Sequence, residues 1–329
     1  MEWNVSSRQT SRREFLAASA AAAFVTLTLR WGNAATSQGA PSSRSSSGNF
    51  ATIYGQPAEA EAFFPFLVHV FRLFPEKDLH LLIEAQAGDG RRTDESIYRK
   101  VASQLDDIKP FLGDLTYSLP SLSQQKREMT RQAVDLLGVA RSFDGYLEIG
   151  TTGRYISSLE DSLDIGGPRF MCHENRPTYS LVDIIERGQL FKRGEFIPLA
   201  DYSTDFVGRI GKDQLDLVTV FIGFHHCPLD LRESFVGSLR EAMRPGASLI
   251  VRDHNAVDER MRRVVALAHD VFNMGTRESW EYNAAELRNF YSLDTLHSML
   301  TDFGFEGGER RLYQTGDPTH NALMLYRKR

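Results

Sequence analysis

Asp144-Gly145-Tyr146-Leu147-Glu148-Ile149-Gly150-Thr151-Thr152-Gly153-Arg154-Tyr155 is the stretch that decides the fold of this chain. A short apolar run, residues 145–149, leads into a loop with two glycines and then into a helical pattern that starts at Tyr155. A strand buried on both faces reads as a continuous apolar run, so strand, glycine turn and helix in that order open a parallel sheet covered by helices. Outward from this unit the same alternation repeats. Candidate strands lie at residues 169–173, 195–199, 216–221 and 248–252, with amphipathic segments at 155–163, 179–187 and 232–243. Residues 310–314 and 322–326 flank a turn-rich connection and read as an antiparallel hairpin. The expected fold class is α/β, a doubly wound sheet of parallel strands closed by a C-terminal hairpin.

Upstream of residue 142 the pattern is different. Residues 63–73 (FFPFLVHVFRL) read as a buried helix, and 94–105 and 124–137 carry apolar residues at helical spacing. Breaks at Gly88-Asp89-Gly90, Pro110 and Pro120 separate them. Residues 51–141 are therefore expected to form a helical region, either a packing layer for the following domain or a lid over its ligand. Residues 35–50 are Ser-rich and read as a linker.

The chain has 329 residues, 42% of them hydrophobic, which is enough for one substantial core with an appendage. Its net charge of -5 argues against non-specific binding to nucleic acid or to an anionic membrane surface. The apolar run at residues 15–29 is shorter than the roughly 20 residues a spanning helix needs, so no stable membrane span is expected. Ser11-Arg12-Arg13-Glu14-Phe15-Leu16 stands directly before that run, and Gly32-Asn33-Ala34 follows it. This segment resembles a twin-arginine export signal cleaved after Ala34. The resemblance implies the twin-arginine translocation machinery as a partner and a periplasmic or otherwise exported location. If the signal is not used, the location is cytoplasmic.

Four segments then appear in a telling order: DGYLEIGTTGRY at 144–155, GEFIPLADYS at 194–203, LDLVTVFIGFHH at 215–226 and LREAMRPGASLIVRDH at 239–254. Together they resemble the first-strand glycine loop, third-strand acidic turn, fourth strand and fifth strand of class I S-adenosylmethionine-dependent methyltransferases, whose sheet is Rossmann-like. The resemblance covers residues 142–329 and implies S-adenosylmethionine as cofactor. It places the loop Glu148, Gly150, Thr151 and Gly153 against the methionine part, Glu174 on the ribose hydroxyls and Asp201 beside the adenine. The usual loop is E/D-x-G-x-G-x-G, whereas EIGTTGRY has two glycines and is one residue shorter. Either the loop is recut and still binds, or the fold is kept and the ligand has changed.

His225, His226 and Cys227 follow the fourth strand, and Asp253 and His254 follow the fifth, at the carboxyl edge where open α/β sheets bind ligands. His226, Asp253 and His254 are expected near the transferred methyl group, as catalytic groups or as pocket walls. A histidine acting as general base would make activity rise through a pH of about 6.5. No metal is expected, because no Cys-x-x-Cys or His-x-x-x-His spacing is present. His269, Asp270, Trp280, Tyr282 and Arg288 lie between the fifth strand and the final helix, where the family often inserts substrate-binding structure. With the family's strand order, Cys172 and Cys227 stand two strand spacings apart, beyond disulfide reach, and two free thiols are expected.

Two functions follow. The first is a methyltransferase acting on a small-molecule acceptor. The second is an exported, non-catalytic binding protein that retains the methyltransferase fold, since S-adenosylmethionine is made in the cytoplasm and export would cut off its resupply.

Overall fold

The computed structural model describes residues 48–88, 92–109, 119–140, 142–178 and 192–329. The export-like segment, most of the Ser-rich linker, the breaks at Gly90 and Pro110 and the expected helix at 179–187 lie outside the described residues. The strands are β1 (Ser142–Ile149), β2 (Asp164–His173), β3 (Glu195–Pro198), β4 (Leu215–Val220), β5 (Met243–Asp253), β6 (Phe305–Tyr313) and β7 (Ala322–Lys328). They form one sheet in the order β3-β2-β1-β4-β5-β7-β6. β1 to β5 run parallel, and β7 is antiparallel to both β5 and β6. The fold is the Rossmann-like, doubly wound α/β sheet with a hairpin closure that the sequence led us to expect.

Every expected strand is present, but β2, β5 and β6 start about five residues earlier than the apolar runs do. The early halves contain Gly166-Gly167-Pro168, Pro245-Gly246 and Gly307-Gly308, which read as turns in sequence. In the sheet they sit at irregularities, with register shifts between Asp144 and Tyr146, Leu215 and Leu217, and Gly307 and Arg311. Glycine and proline are tolerated where the ladder is broken anyway.

The parallel strands end level. Ile149 pairs with both Cys172 and Val220, Cys172 with Ile197, and Val220 with Val251. Whatever follows these residues is delivered to one edge, namely the loop after Ile149, Glu174, Asp201, the His225 segment and the Asp253 segment. β1 at the centre of the five brings the outer contributions within reach of each other.

The alternation of side chains builds a core on each face. Leu147, Ile149, Val218, Val220, Leu249 and Val251 point to one side, against Phe235, Leu239 and Leu296. Tyr146, Leu217 and Ile250 point to the other, against Met129, Ala133, Ile156 and Leu159. β1 lies between β2, which carries Cys172, and β4, which Cys227 follows, and both cysteines are free and buried.

The described helices before β1 are α1 (Asn49–Tyr54), α2 (Pro57–Phe66), α3 (Glu76–Ala87), α4 (Asp94–Ala102), α5 (Leu105–Ile108) and α6 (Leu119–Leu137). After β1 come α7 (Ile156–Glu160), α8 (Phe206–Ile210), α9 (Arg232–Ala242), α10 (Glu259–Gly275), α11 (Trp280–Ala285) and α12 (Leu293–Asp302). The helix expected at 63–73 is differently bounded: α2 starts at Pro57, and residues Leu67–Phe71 form a wider π turn that ends at the left-handed Arg72. Pro65 inside α2 has no N–H to donate, which loosens the ladder at that point.

The N-terminal helices divide their packing. α6 covers the sheet. α1 to α5 instead share a third core with α10, where Phe50, Phe63, Phe66, Ile83 and Tyr98 meet Met261, Val265, Ala268 and Val271. Asn49 Nδ2 donates to Asp270 Oδ2 at 2.8 Å, and Tyr98 Oη donates to the Glu278 carbonyl at 2.9 Å. The helical region is thus a layer built mainly on the segment between β5 and β6. Among the described residues no helix is long and apolar enough to cross a membrane.

Gly150 has φ +90°, and a Cβ there would overlap the Ile222 side chain, whereas Gly246 has φ +77° with open space around it. Gly246→Ala is therefore expected to cost only backbone strain, about 1 kcal/mol. Gly150→Ala adds overpacking and is expected to cost about 2 kcal/mol more. Urea unfolding of the two variants checks the ranking.

Candidate functional site

The loop after β1 is organised from within by Glu148, which is 1% exposed. Its carboxylate accepts from the Thr151 hydroxyl, from the Ile156 N–H at 3.1 Å, from the Tyr155 N–H at 3.3 Å and from Tyr146 Oη at 3.1 Å. With its one hydrogen given to Glu148, the Tyr146 hydroxyl accepts from Thr219 Oγ1 at 2.8 Å on β4. Unpaired N–H groups at the start of α7 are satisfied by a carboxylate delivered from the strand. Glu148 thus positions the loop, and Thr151 turns its hydroxyl inward, away from the space beside the glycines. Gly153 has φ +92°, and Gly150 donates its N–H to the Cys172 carbonyl at 2.8 Å. The two-glycine loop is a closed, internally bonded turn.

Glu174 and Asp201 meet at the ends of β2 and β3, where Glu174 Oε2 accepts from the Asp201 N–H at 3.4 Å. Partial burial, with Asp201 adding its negative charge, raises the Glu174 carboxyl above its usual range. Ala200, Asp201 and Tyr202 all have positive φ, between 50° and 65°. Three consecutive non-glycine residues in that region are costly, at about 1–2 kcal/mol each, and such strain collects at functional sites.

The ends of β4 and β5 carry a cluster of histidines that α10 roofs. The ring centroids of His225 and His226 are 4.2 Å apart, and His225 lies 5.5 Å from His254 and 5.1 Å from His269. His269, on α10, is 5.2 Å from His226 and 5.5 Å from His254. The cluster is held by Asp253, which is 2% exposed. Asp253 accepts from His225 Nδ1 at 2.7 Å, the His254 N–H at 2.8 Å, the Phe224 N–H at 3.0 Å and Tyr291 Oη at 2.7 Å. Burial alone would raise this carboxyl. His225 and the hydrogen bonds outweigh burial and hold it below the usual carboxylate range.

Burial, with His225 second, pushes the His226 imidazole down to about 3. Burial followed by His225 and His269 pushes His254 well below its usual value, and burial lowers His269 against the opposing pull of Glu286. These three rings are neutral at neutral pH. A ring that protonates only near 3 produces no rise in activity through 6.5, so the pH profile expected of a general base does not apply to His226.

Of the residues singled out in sequence, His226, Asp253 and His254 do converge, with Asp253 acting on its neighbours. Glu148, Gly150, Thr151 and Gly153 form one turn, and Glu174 and Asp201 lie together beside it on the sheet edge. Arg288 is buried in a network, donating to Glu286 at 2.7 Å, Asp270 at 2.8 Å and Asn283 at 2.7 Å. Trp280 packs edge-on against Tyr98, with centroids 5.4 Å apart. Sequence reasoning passed over His225, Tyr291, Glu286 and Thr319 as site residues. His225 stood next to a chosen residue, while the other three carry no signal at the sequence level.

The sequence matches no protein-family model and no curated protein. In three dimensions the chain is similar to the 1,6-didemethyltoxoflavin-N1-methyltransferase of Burkholderia thailandensis, solved with 1,6-didemethyltoxoflavin and S-adenosylhomocysteine, at 12% identity and a TM-score of 0.41 over 70% of this chain and 87% of that one. It is also similar to the N-methyltransferase NodS of Bradyrhizobium japonicum WM9, at 13% identity and 0.39 over 63% and 96%. An S-adenosylmethionine-dependent methyltransferase from Mesorhizobium loti gives 11% and 0.43 over 63% and 100%. At these scores the description of the fold stands on this chain's own strand order and register.

The unfolded chain protonates His226 near 6.5, while the folded chain protonates it only near 3. The stability from this group is therefore complete above pH 6.5 and is lost as pH falls towards 3, by on the order of 2 kcal/mol at pH 5. Urea unfolding at pH 7.5 and 5.0 should show the loss, and His226→Gln should reduce it.

Proposed function

We propose that this chain is an S-adenosylmethionine-dependent methyltransferase that takes a small-molecule acceptor and is exported by the twin-arginine route. The observation that carries the reading is the single edge at which β1 to β5 end level. On one side of β1 it offers a glycine turn with Thr151 folded inward and Glu174 half-buried, and on the other a roofed cluster of neutral imidazoles.

The residues present fit the cofactor. Gly150 and Gly153 present backbone without side chains, and Thr151 is committed to Glu148. Glu174 and Asp201 stand at the ends of the neighbouring strands, where carboxylates can accept hydrogen bonds from ribose hydroxyls and from an adenine amine. When bound, the cofactor supplies a methyl group on a sulfonium, which an acceptor takes by in-line displacement. The chain's contribution is chiefly positioning, a large term when reactants are held in line. β4 and β5 bring His226 and His254 to the acceptor side. Glu148 keeps the turn closed on the cofactor side, and α10 shields the junction from water. Net negative charge disfavours nucleic acid as acceptor.

Calorimetry with S-adenosylhomocysteine tests the cofactor assignment. Wild-type chain is expected to bind, and Glu174→Ala to bind about 10- to 150-fold more weakly, the equivalent of losing one charged hydrogen bond. Absence of binding by wild type would favour the non-catalytic binding protein, and equal binding by both would reject the role of Glu174. Export has its own test. Arg12→Lys with Arg13→Lys should leave full-length protein in the cytoplasm, and unchanged export of that variant rules the route out.

A further inference from the structure

Four of the nine histidines of the chain meet at the carboxyl edge. One ring nitrogen each of His225, His254 and His269 lie within 4.8 Å of one another, and His226, His269 and Glu286 form a second such set sharing His269. Hydrogen bonding fixes how the rings of His225 and His254 are turned. Asp253 as a carboxylate only accepts, so His225 donates from Nδ1, and Nε2 is the ring nitrogen left to bind a ligand. That Nε2 is buried, on a residue 3% exposed, and has no hydrogen-bond partner. The Thr319 hydroxyl gives its one hydrogen to Asp317 Oδ1 at 2.6 Å, so at 2.9 Å from His254 Nδ1 it must accept. The Asn321 amide agrees when its oxygen faces Arg252 and His254. His254 therefore keeps its lone pair on Nε2.

A buried ring nitrogen without a partner is unfavourable, and three imidazoles that bring one nitrogen each this close together have one common remedy. Imidazoles that bind metal are held in this way, with the far N–H on a carboxylate or other fixed acceptor. We propose that His225, His254 and His269 bind a divalent transition-metal ion. Zinc fits three imidazoles and one open position best. Zinc–nitrogen bonds of ~2.1 Å place tetrahedral ligands roughly 3.4 Å apart, so nitrogens within 4.8 Å of one another must close by at most about 1.4 Å. The open position takes water or an oxygen of the acceptor and lowers its pKa, which supplies the activation that the neutral histidines do not. The metal site stands on these side chains alone, and only its use on an acceptor rests on the methyl-transfer reading. Sequence reasoning expected no metal because the short spacings are missing. The three ligands instead come from the ends of two strands and from a helix.

The test is a titration of the full chain, stripped with a chelator, with Zn²⁺ followed by calorimetry and with Co²⁺ followed by absorbance. One equivalent of each ion is expected to bind, with the visible bands of four-coordinate Co²⁺. His225→Ala and His269→Gln are expected to weaken Zn²⁺ binding by about 100-fold or more, since each removes one of three ligands. His320→Gln, at an exposed site, should not. Circular dichroism identifies a variant that fails to fold. If His225→Ala does, His269→Gln and His254→Gln decide. No stoichiometric binding by wild type, or binding by folded His269→Gln equal to wild type, overturns the site. S-adenosylhomocysteine calorimetry in the presence of chelator keeps failure here separate from failure of the cofactor assignment.

Discussion

The carboxylate of Asp253 is the interaction on which the ligand-facing half of this molecule depends. It is almost fully buried and accepts four hydrogen bonds, from the backbone at Phe224 and His254, the ring of His225 and the hydroxyl of Tyr291. Those donors belong to the loop after β4, the end of β5 and the segment leading into α12. A buried charge is stable only when its hydrogen bonds are complete, so any displacement of these segments would leave it exposed to a large desolvation cost. Three stretches distant in sequence are thereby locked to one another, and the histidines they carry are oriented as a consequence.

The sheet supplies the other half of the constraint. Five parallel strands end level, so their trailing segments converge without any special device, and β1 in the middle separates two kinds of surface. On its β2–β3 side lie a turn closed by Glu148 and a pair of carboxyl side chains. On its β4–β5 side lie imidazoles under α10. The N-terminal helices enter through α10: their aromatic core packs against that helix, and Asn49 reaches Asp270 one residue from His269. A layer that looks remote from the chemistry in sequence therefore determines where one of the four rings sits.

Much of this was legible beforehand. The apolar runs at 145–149, 169–173, 195–199, 216–221 and 248–252 each became a strand, because a buried parallel strand imposes a continuous hydrophobic signature on its own residues. The glycine turn was legible for the same local reason, since Gly150 and Gly153 occupy left-handed conformations that other residues avoid. The early halves of β2, β5 and β6 were hidden because glycine and proline there obey the sheet's irregularities and not the local pattern. The residues after β4 and β5 were correctly gathered at one edge. The division of labour among them was not visible: His226 stood out in sequence, while His225 holds the hydrogen bond to Asp253.

The sequence by itself determined the order of strands and helices, the position of the glycine turn and the fact that histidines and carboxylates would reach a common edge, since each depends on short-range periodicity or on the conformational needs of single residues. Only the tertiary structure decided which of those groups face one another. The partners of Asp253 and of the histidines lie up to 67 residues away in the chain. Burial, which no local pattern encodes, then kept the rings of His226, His254 and His269 unprotonated and left Nε2 of His225 turned inward without a partner.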